Sequence, residues 1–185
     1  TALAAFSRVS FDLIYALPGE TTAGWRAALR AALSLGAPHL SLYQLTVEPN
    51  TAFANAAARG MWAPPTDDVA ADLYDIAQEE TARAGLPAYE ISNHAAPGGE
   101  SRHNLIYWTG GDYAGVGPGA HGRITEQRAH GCLAAGGARL AVETPLAPDA
   151  YLETVERTGS GARLVETLTP EAARIEKLSM GLRLT

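Results

Sequence analysis

Three groups of residues in this 185-residue chain have the types and spacing for ligand chemistry. The densest is Glu100-Ser101-Arg102-His103-Asn104-Leu105-Ile106-Tyr107-Trp108. It is followed at once by Gly110-Gly111-Asp112-Tyr113-Ala114-Gly115-Val116-Gly117-Pro118-Gly119-Ala120-His121-Gly122. An imidazole, an arginine and two large aromatics thus precede a glycine-dense run, a set that suits a flat, partly apolar ligand with one axial donor and a close backbone. On a helical turn His103 and Tyr107 lie four apart and share a face. There His103 can ligate the iron of a porphyrin, with Tyr107 and Trp108 covering the macrocycle. A hydrogen-bonded core histidine is the other reading of the same residues.

The second group is Asp12, set among Phe11, Leu13 and Ile14, where an unpaired carboxylate is costly to bury. If Phe11, Leu13 and Tyr15 face outer helices, strand alternation turns Asp12, Ile14 and Ala16 inward. An inward aspartate can hold a ligand hydroxyl or an ammonium, or it serves as a structural partner for a buried arginine or amide. The third group, Tyr43-Gln44-Leu45-Thr46-Val47-Glu48-Pro49, closes a strand at the end where parallel barrels gather their ligands. Tyr43 can offer a ring face to an adenine, and Gln44 or Thr46 hydrogen bonds; a core tyrosine beside a turn is the plainer alternative.

The run Gly117 to Gly122 fits G-x-G-x-x-G, but Arg123 to Gly137 lacks the helical period that a dinucleotide fingerprint opens. Glycines that let backbone approach a ligand or a barrel mouth are the better reading. His94, His121 and His130 lack the spacing of a zinc site, and one cysteine cannot make a zinc ribbon or finger.

The elements that must position these residues follow from pattern. Arg8 to Leu17 reads as a strand ended by Pro18-Gly19. Thr21 or Thr22 caps a helix to about Leu35, whose Trp25, Ala28, Leu29, Ala32 and Leu33 gather on one face before Gly36 and Pro38 stop it. His39 to Thr46 is a second strand, and a short helix covers about Thr51 to Arg59. Thr66 caps a third helix to about Ala84, with Asp67 and Asp68 at its positive end. Gly85 ends it, and Ala88 to Ser92 is a third strand. Strand–helix alternation with short connections predicts a parallel sheet with helices outside. Gly131 to Gly137 reads as a loop, and helices are expected over Pro148 to Arg157 and Pro170 to Leu184.

Composition bounds what the chain can be. With 46% hydrophobic and 18% charged residues it is globular rather than disordered. No apolar run approaches the ~20 residues of a membrane span, and no secretory signal opens the chain. A net charge of −6 without a basic stripe argues against general nucleic-acid binding. The single cysteine, Cys132, excludes an intrachain disulfide and fits a reducing compartment, so a cytoplasmic location is expected. The strand so near Thr1 and the uncapped helical pattern at Thr185 read as an internal piece of a longer protein.

The order of five motifs closely resembles one family. They are Asp12-Leu13-Ile14-Tyr15-Ala16-Leu17-Pro18-Gly19-Glu20-Thr21, Leu40 to Pro49, Tyr89-Glu90-Ile91-Ser92-Asn93, Ser101 to Trp108 and Gly115 to Gly122. The family is the radical-SAM heme chaperones, the oxygen-independent coproporphyrinogen III oxidase-like proteins, and the likeness is dense over about residues 8 to 124. The resemblance implies an α/β fold: the later strands of an open parallel (β/α) barrel of radical-SAM type, with trailing helices. It implies barrel core over 1–125, a loop and strand connection over 126–147, and a helical linker toward a C-terminal domain over 148–185.

The cofactors implied are S-adenosylmethionine, a 4Fe–4S cluster and heme. By resemblance Asp12 contacts the cofactor ribose, Tyr43, Leu45 and Thr46 line the adenosyl pocket, and Ala120-His121 passes near the adenine. The H-N-x-x-Y-W motif looks like the heme signature of the chaperone branch, with His103 as iron ligand beside Tyr107 and Trp108. Two departures stand out: Ala16 occupies a position usually held by glycine, and the CxxxCxxC cluster motif is absent. The chain alone is therefore expected to hold no cluster and to be inactive in radical chemistry. The function implied is heme binding and delivery to apo-hemoproteins, including peripheral contact with heme-requiring membrane proteins. An anaerobic coproporphyrinogen III oxidase and a degenerate barrel serving as an interaction module are the alternatives.

Overall fold

A computed structural model describes residues 2–126 and 137–185. Cys132, His130 and the Gly131–Gly137 loop up to residue 136 lie outside the described residues. The chain divides into two compact units, residues 1–100 with Thr185, and residues 101–184.

The first unit opens with a short helix α1 (Ala2–Ala5) and then runs β1 (Ser10–Tyr15), α2 (Thr22–Leu33), β2 (His39–Gln44), α3 (Ala52–Ala58), α4 (Asp67–Arg83), β3 (Ala88–Glu90) and β4 (Asn93–Ala95). Three of its helices start where a threonine hydroxyl accepts an orphan backbone N–H: Thr21 from Gly24, Thr51 from Ala54 and Thr66 from Val69. Strands β1 and β2 pair in parallel register, Asp12 beside Ser41 and Ile14 beside Tyr43. The sheet order is β1-β2-β4-β3.

The core lies between one face of that sheet and helices α2 and α4. Trp25, Leu29, Leu40, Leu42, Leu73 and Ile76 are buried there, with Phe11 and Leu13 packed against them. Trp25 is 1% exposed and donates its indole N–H to the Leu73 carbonyl at 3.0 Å, so even its polar atom is matched. Glu80 of α4, itself buried, gathers Arg26 and Arg30 of α2 and Arg83 of its own helix. The Arg30 hydrogen bond, ahead of the other contacts, pushes its carboxyl down to about 2.

Two expectations are corrected. The segment expected as one strand, Ala88 to Ser92, is a hairpin: β3 ends at Glu90, the chain turns, and β4 returns antiparallel to both β3 and β2. Buried Glu90 makes the turn by accepting from the Ser92 amide at 3.0 Å and from the Asn93 side chain. Ala16 does not continue the inward face. It lies past the strand end at φ +62°, which rotates it into the core, where it is 2% exposed.

The second unit comprises α5 (Arg102–Trp108), β5 (His121–Thr125), β6 (Arg139–Glu143), α6 (Pro148–Thr158), β7 (Leu164–Thr167) and α7 (Pro170–Gly181). Its sheet is antiparallel in the order β5-β6-β7. Strand β7 was not expected; it falls within the stretch read as helical linker. Among the described residues no helix is long and apolar enough to cross a membrane.

Candidate functional site

In the first unit the face of the sheet opposite the core carries the polar residues. Asp12 and Ile14 are exposed while Phe11, Leu13 and Tyr15 turn toward the helices, as the alternation argument required. Register places Tyr43 beside Ile14, so Asp12, Ile14 and Tyr43 share this face. Tyr43 keeps 45% of its surface exposed, a large aromatic left open at the C-terminal end of a parallel strand. Leu45 is half-buried and bound through its amide to the Tyr15 carbonyl at 2.8 Å, while Thr46 is exposed.

Asn93 belongs to the same face, because its register partner is Ser41, itself the partner of Asp12. It is 3% exposed, and its side-chain oxygen has no hydrogen-bond partner. A buried acceptor left unmatched costs about 1–3 kcal/mol unless a donor arrives. Reasoning from the sequence did not single it out, although the Tyr89-to-Asn93 motif contained it.

The opposite end of this sheet is closed by structural bonds. The Ser10 hydroxyl meets His39 Nδ1 at 2.7 Å, and His39 Nε2 meets the Tyr89 hydroxyl at 2.9 Å. Burial lowers the His39 pKa, partly opposed by the Asp12 charge. His94 faces the helices and bonds the Thr81 hydroxyl at 2.9 Å; burial pushes it down to about 4, so it is a neutral core residue.

In the second unit the Ser101 hydroxyl caps α5 by accepting from the Asn104 amide at 3.3 Å. The helix presents His103 to solvent and places Tyr107 one turn on, and His103 Nε2 meets the Tyr107 hydroxyl at 2.7 Å. The two rings stand edge to face at 4.7 Å, and Tyr107 stands likewise on Tyr113 at 4.4 Å. Trp108 lies under the Arg183 guanidinium at 4.4 Å, and its indole N–H is buried with no partner. The imidazole is thus exposed and oriented by one hydrogen bond, and Nδ1 is its other ring nitrogen. That is the usual arrangement of a histidine ligand, one nitrogen anchored and the other available.

The glycine run leads into a strand, β5, and not into a helix, which disposes of the dinucleotide reading. Its glycines serve close backbone approach. A Cβ on Gly115 would lie 2.3 Å from the His121 carbonyl oxygen, and Gly117 and Gly119 have φ of +102° and +68°. Thr144, 5% exposed, holds the run in place: it donates to the Gly117 carbonyl at 2.6 Å and accepts from the Ala120 amide at 2.8 Å. Ala120 is partly buried, and exposed His121 lies 3.7 Å from Glu143, its register partner. Among the described residues no group of three or more His, Cys, Asp or Glu could hold a metal ion.

No family model matches the chain. It is 47% identical over 119 residues to the heme chaperone HemW of Mycobacterium tuberculosis, covering 64% of this chain and 30% of that protein. It is 36% identical over 180 residues to HemW of Bacillus subtilis, covering 97% of this chain and 44% of that one. It is 39% identical over 178 residues to a mitochondrial radical S-adenosyl methionine domain-containing protein 1 of Danio rerio, covering 96% and 39%. The chain therefore spans less than half the length of these relatives. Among solved structures it matches coproporphyrinogen III oxidase (HemN) of Escherichia coli, a radical SAM enzyme. The TM-score is 0.69 over 97% of this chain and 41% of that one, at 16% identity, which is a likeness of fold. The chain thus shares its α/β fold with part of that structure.

Proposed function

We propose, from the premise that this sequence belongs to the radical-SAM heme chaperone family, that the chain carries the heme-holding segment of such a protein together with part of its S-adenosylmethionine site. The observation that carries the reading is His103: exposed, set on a capped helix, and bonded through Nε2 to Tyr107. Iron then takes Nδ1, while the Tyr107 hydroxyl accepts from Nε2–H and makes the imidazole a better donor. Tyr107 and Trp108 supply apolar surface beside the macrocycle. The metal is cargo here, and an exposed site with a single protein ligand suits a protein that must give heme up to apo-hemoproteins. A cytoplasmic location, and peripheral contact with membrane proteins that need heme, belong to the same proposal.

S-adenosylmethionine fits the open sheet face of the first unit. Asp12 would accept from ribose hydroxyls, Tyr43, Leu45 and Thr46 would line the adenosyl group, and the unmatched Asn93 oxygen awaits a donor on that face. The assignment of Ala120 and His121 to the adenine rests on the resemblance alone. When bound, S-adenosylmethionine supplies a sulfonium whose reductive cleavage requires an electron from a cluster. A 4Fe–4S cluster in the family's pattern takes three cysteine thiolates. This chain has one cysteine, so its own residues do not fit that group.

A hemin titration tests the reading. The chain should shift the Soret band on binding, and His103→Ala should lose that shift while keeping the parent's thermal melt. An unchanged spectrum in the variant removes His103 from the site.

A further inference from the structure

Within the second unit a cleft of about 260 Å³ opens beside the histidine helix. Its apolar side is formed by Tyr107, Tyr113 and Met180, and its charged side by Arg139, Arg174 and Lys177. Tyr107 belongs to both places: its ring lines the cleft and its hydroxyl holds His103. Glu176, the anion of the lining, is already engaged by Arg123 at 2.8 Å and by Arg139 at 3.7 Å, and Arg139 is further tied to Asp112 at 3.2 Å. Arg174 and Lys177 are different. They lie three apart on α7, on one face of the helix, and pair with no carboxylate among the described residues. The Lys177 stem rests against Gly110, where an added Cβ would come within 3.1 Å of its Cγ, so the ammonium is held near the cleft. In a chain of net charge −6 this is a local excess of positive charge beside an apolar wall.

We propose that this cleft is a carboxylate subsite: Arg174 and Lys177 bind the acidic side arms of the flat ligand whose iron is held by His103. The inference rests on the heme reading for the identity of that ligand. The volume sets the scale, since small-molecule pockets commonly run to about 300–1,000 Å³. A cleft below that range takes a side arm and leaves the macrocycle outside, against the exposed face of α5. Arginine offers a planar fork to a carboxylate and lysine a mobile point charge, so the pair can adapt to two arms or grip one.

The experiment uses metal-free protoporphyrin and its dimethyl ester, which share the ring and lack iron, followed by fluorescence with the 185-residue chain. Arg174→Gln/Lys177→Gln should bind the diacid about tenfold more weakly and the diester unchanged, because only the diacid presents carboxylates. Both exposed substitutions should leave the thermal melt in place, which guards against loss of fold. Equal affinity of the double variant and the parent for the diacid overturns the subsite, and so does parallel loss of diacid and diester. A preference for the diacid that depends on Arg174 and Lys177, alongside a hemin spectrum indifferent to His103, upholds the subsite and retires the axial ligand. Absence of any porphyrin binding by the parent overturns both.

Discussion

Replacing Gly115 by alanine adds one methyl where the backbone leaves no room for it. The new Cβ would lie 2.3, 2.7 and 2.9 Å from the carbonyl oxygen, carbonyl carbon and amide nitrogen of His121. All three are main-chain atoms, so no side chain can swing aside. The strand must move, and the neighbouring bridge moves with it: Tyr113 and Arg123 exchange two amide–carbonyl bonds, each of 2.8 Å. Overpacking by a methylene-sized group costs about 1–3 kcal/mol. Weakening two such bonds adds about 1 kcal/mol. The expected loss is therefore roughly 2–4 kcal/mol, a large part of the stability of a small folded unit. Urea unfolding measures the loss, with Val116→Ala as control because Val116 is 83% exposed and should change stability by less than about 0.5 kcal/mol. Amide exchange should quicken at Tyr113 and Arg123 in the glycine variant. If Gly115→Ala unfolds at the parent's urea midpoint, the close approach of these two segments is wrong, and with it the placement of Ala120 and His121.

Three more outcomes follow from the same geometry. Tyr107→Phe removes the bond that anchors His103 Nε2 and should weaken hemin binding about tenfold with little change in stability; equal or tighter binding would mean that iron takes Nε2. Acid should destabilise the first unit in two windows. His94, held neutral with its pKa lowered to about 4, opposes folding progressively as pH falls from about 6.5 to 4, because the unfolded chain takes up the proton first. Glu80, lowered to about 2, contributes stability that is complete above 4.5 and is lost as pH falls toward 2. Denaturant midpoints across pH should show both windows, and Thr81→Val/His94→Leu should shrink the upper one to the share left by His39, whose pKa burial also lowers. Finally, Ala16→Val places a β-branched residue at φ +62° in the core and should cost about 2–4 kcal/mol, while Ala16→Gly should stay within about 1 kcal/mol of the parent by thermal melting.

The helices were legible because their signals are local. Thr21 and Thr66 cap where expected, Gly36 has the positive φ of a helix stop, and α4 ends within a residue of its expected terminus. The inward parity of Asp12 followed from period 2 alone, and it held as far as the strand did. The turn between β3 and β4 was hidden because it contains neither glycine nor proline; a buried glutamate makes it, and burial cannot be read from a single sequence. Strand β7 escaped for another reason: all four of its residues are exposed, so no apolar alternation marks it, and its pairing with β6 is long-range. At the site, the i to i+4 spacing of His103 and Tyr107 gave their contact in advance. Asn93 and Thr144 were missed because their importance lies in which atoms are satisfied, a property of packing and not of residue type.

The central claim is that one imidazole of this chain binds porphyrin iron. Pulsed electron paramagnetic resonance of the ferric heme complex, prepared with ¹⁵N-labelled histidine, reads that bond without reference to activity. A ¹⁵N coupling to iron that vanishes in His103→Ala and persists in His121→Ala is the result expected. A coupling that survives in His103→Ala, or none in the parent, contradicts the account.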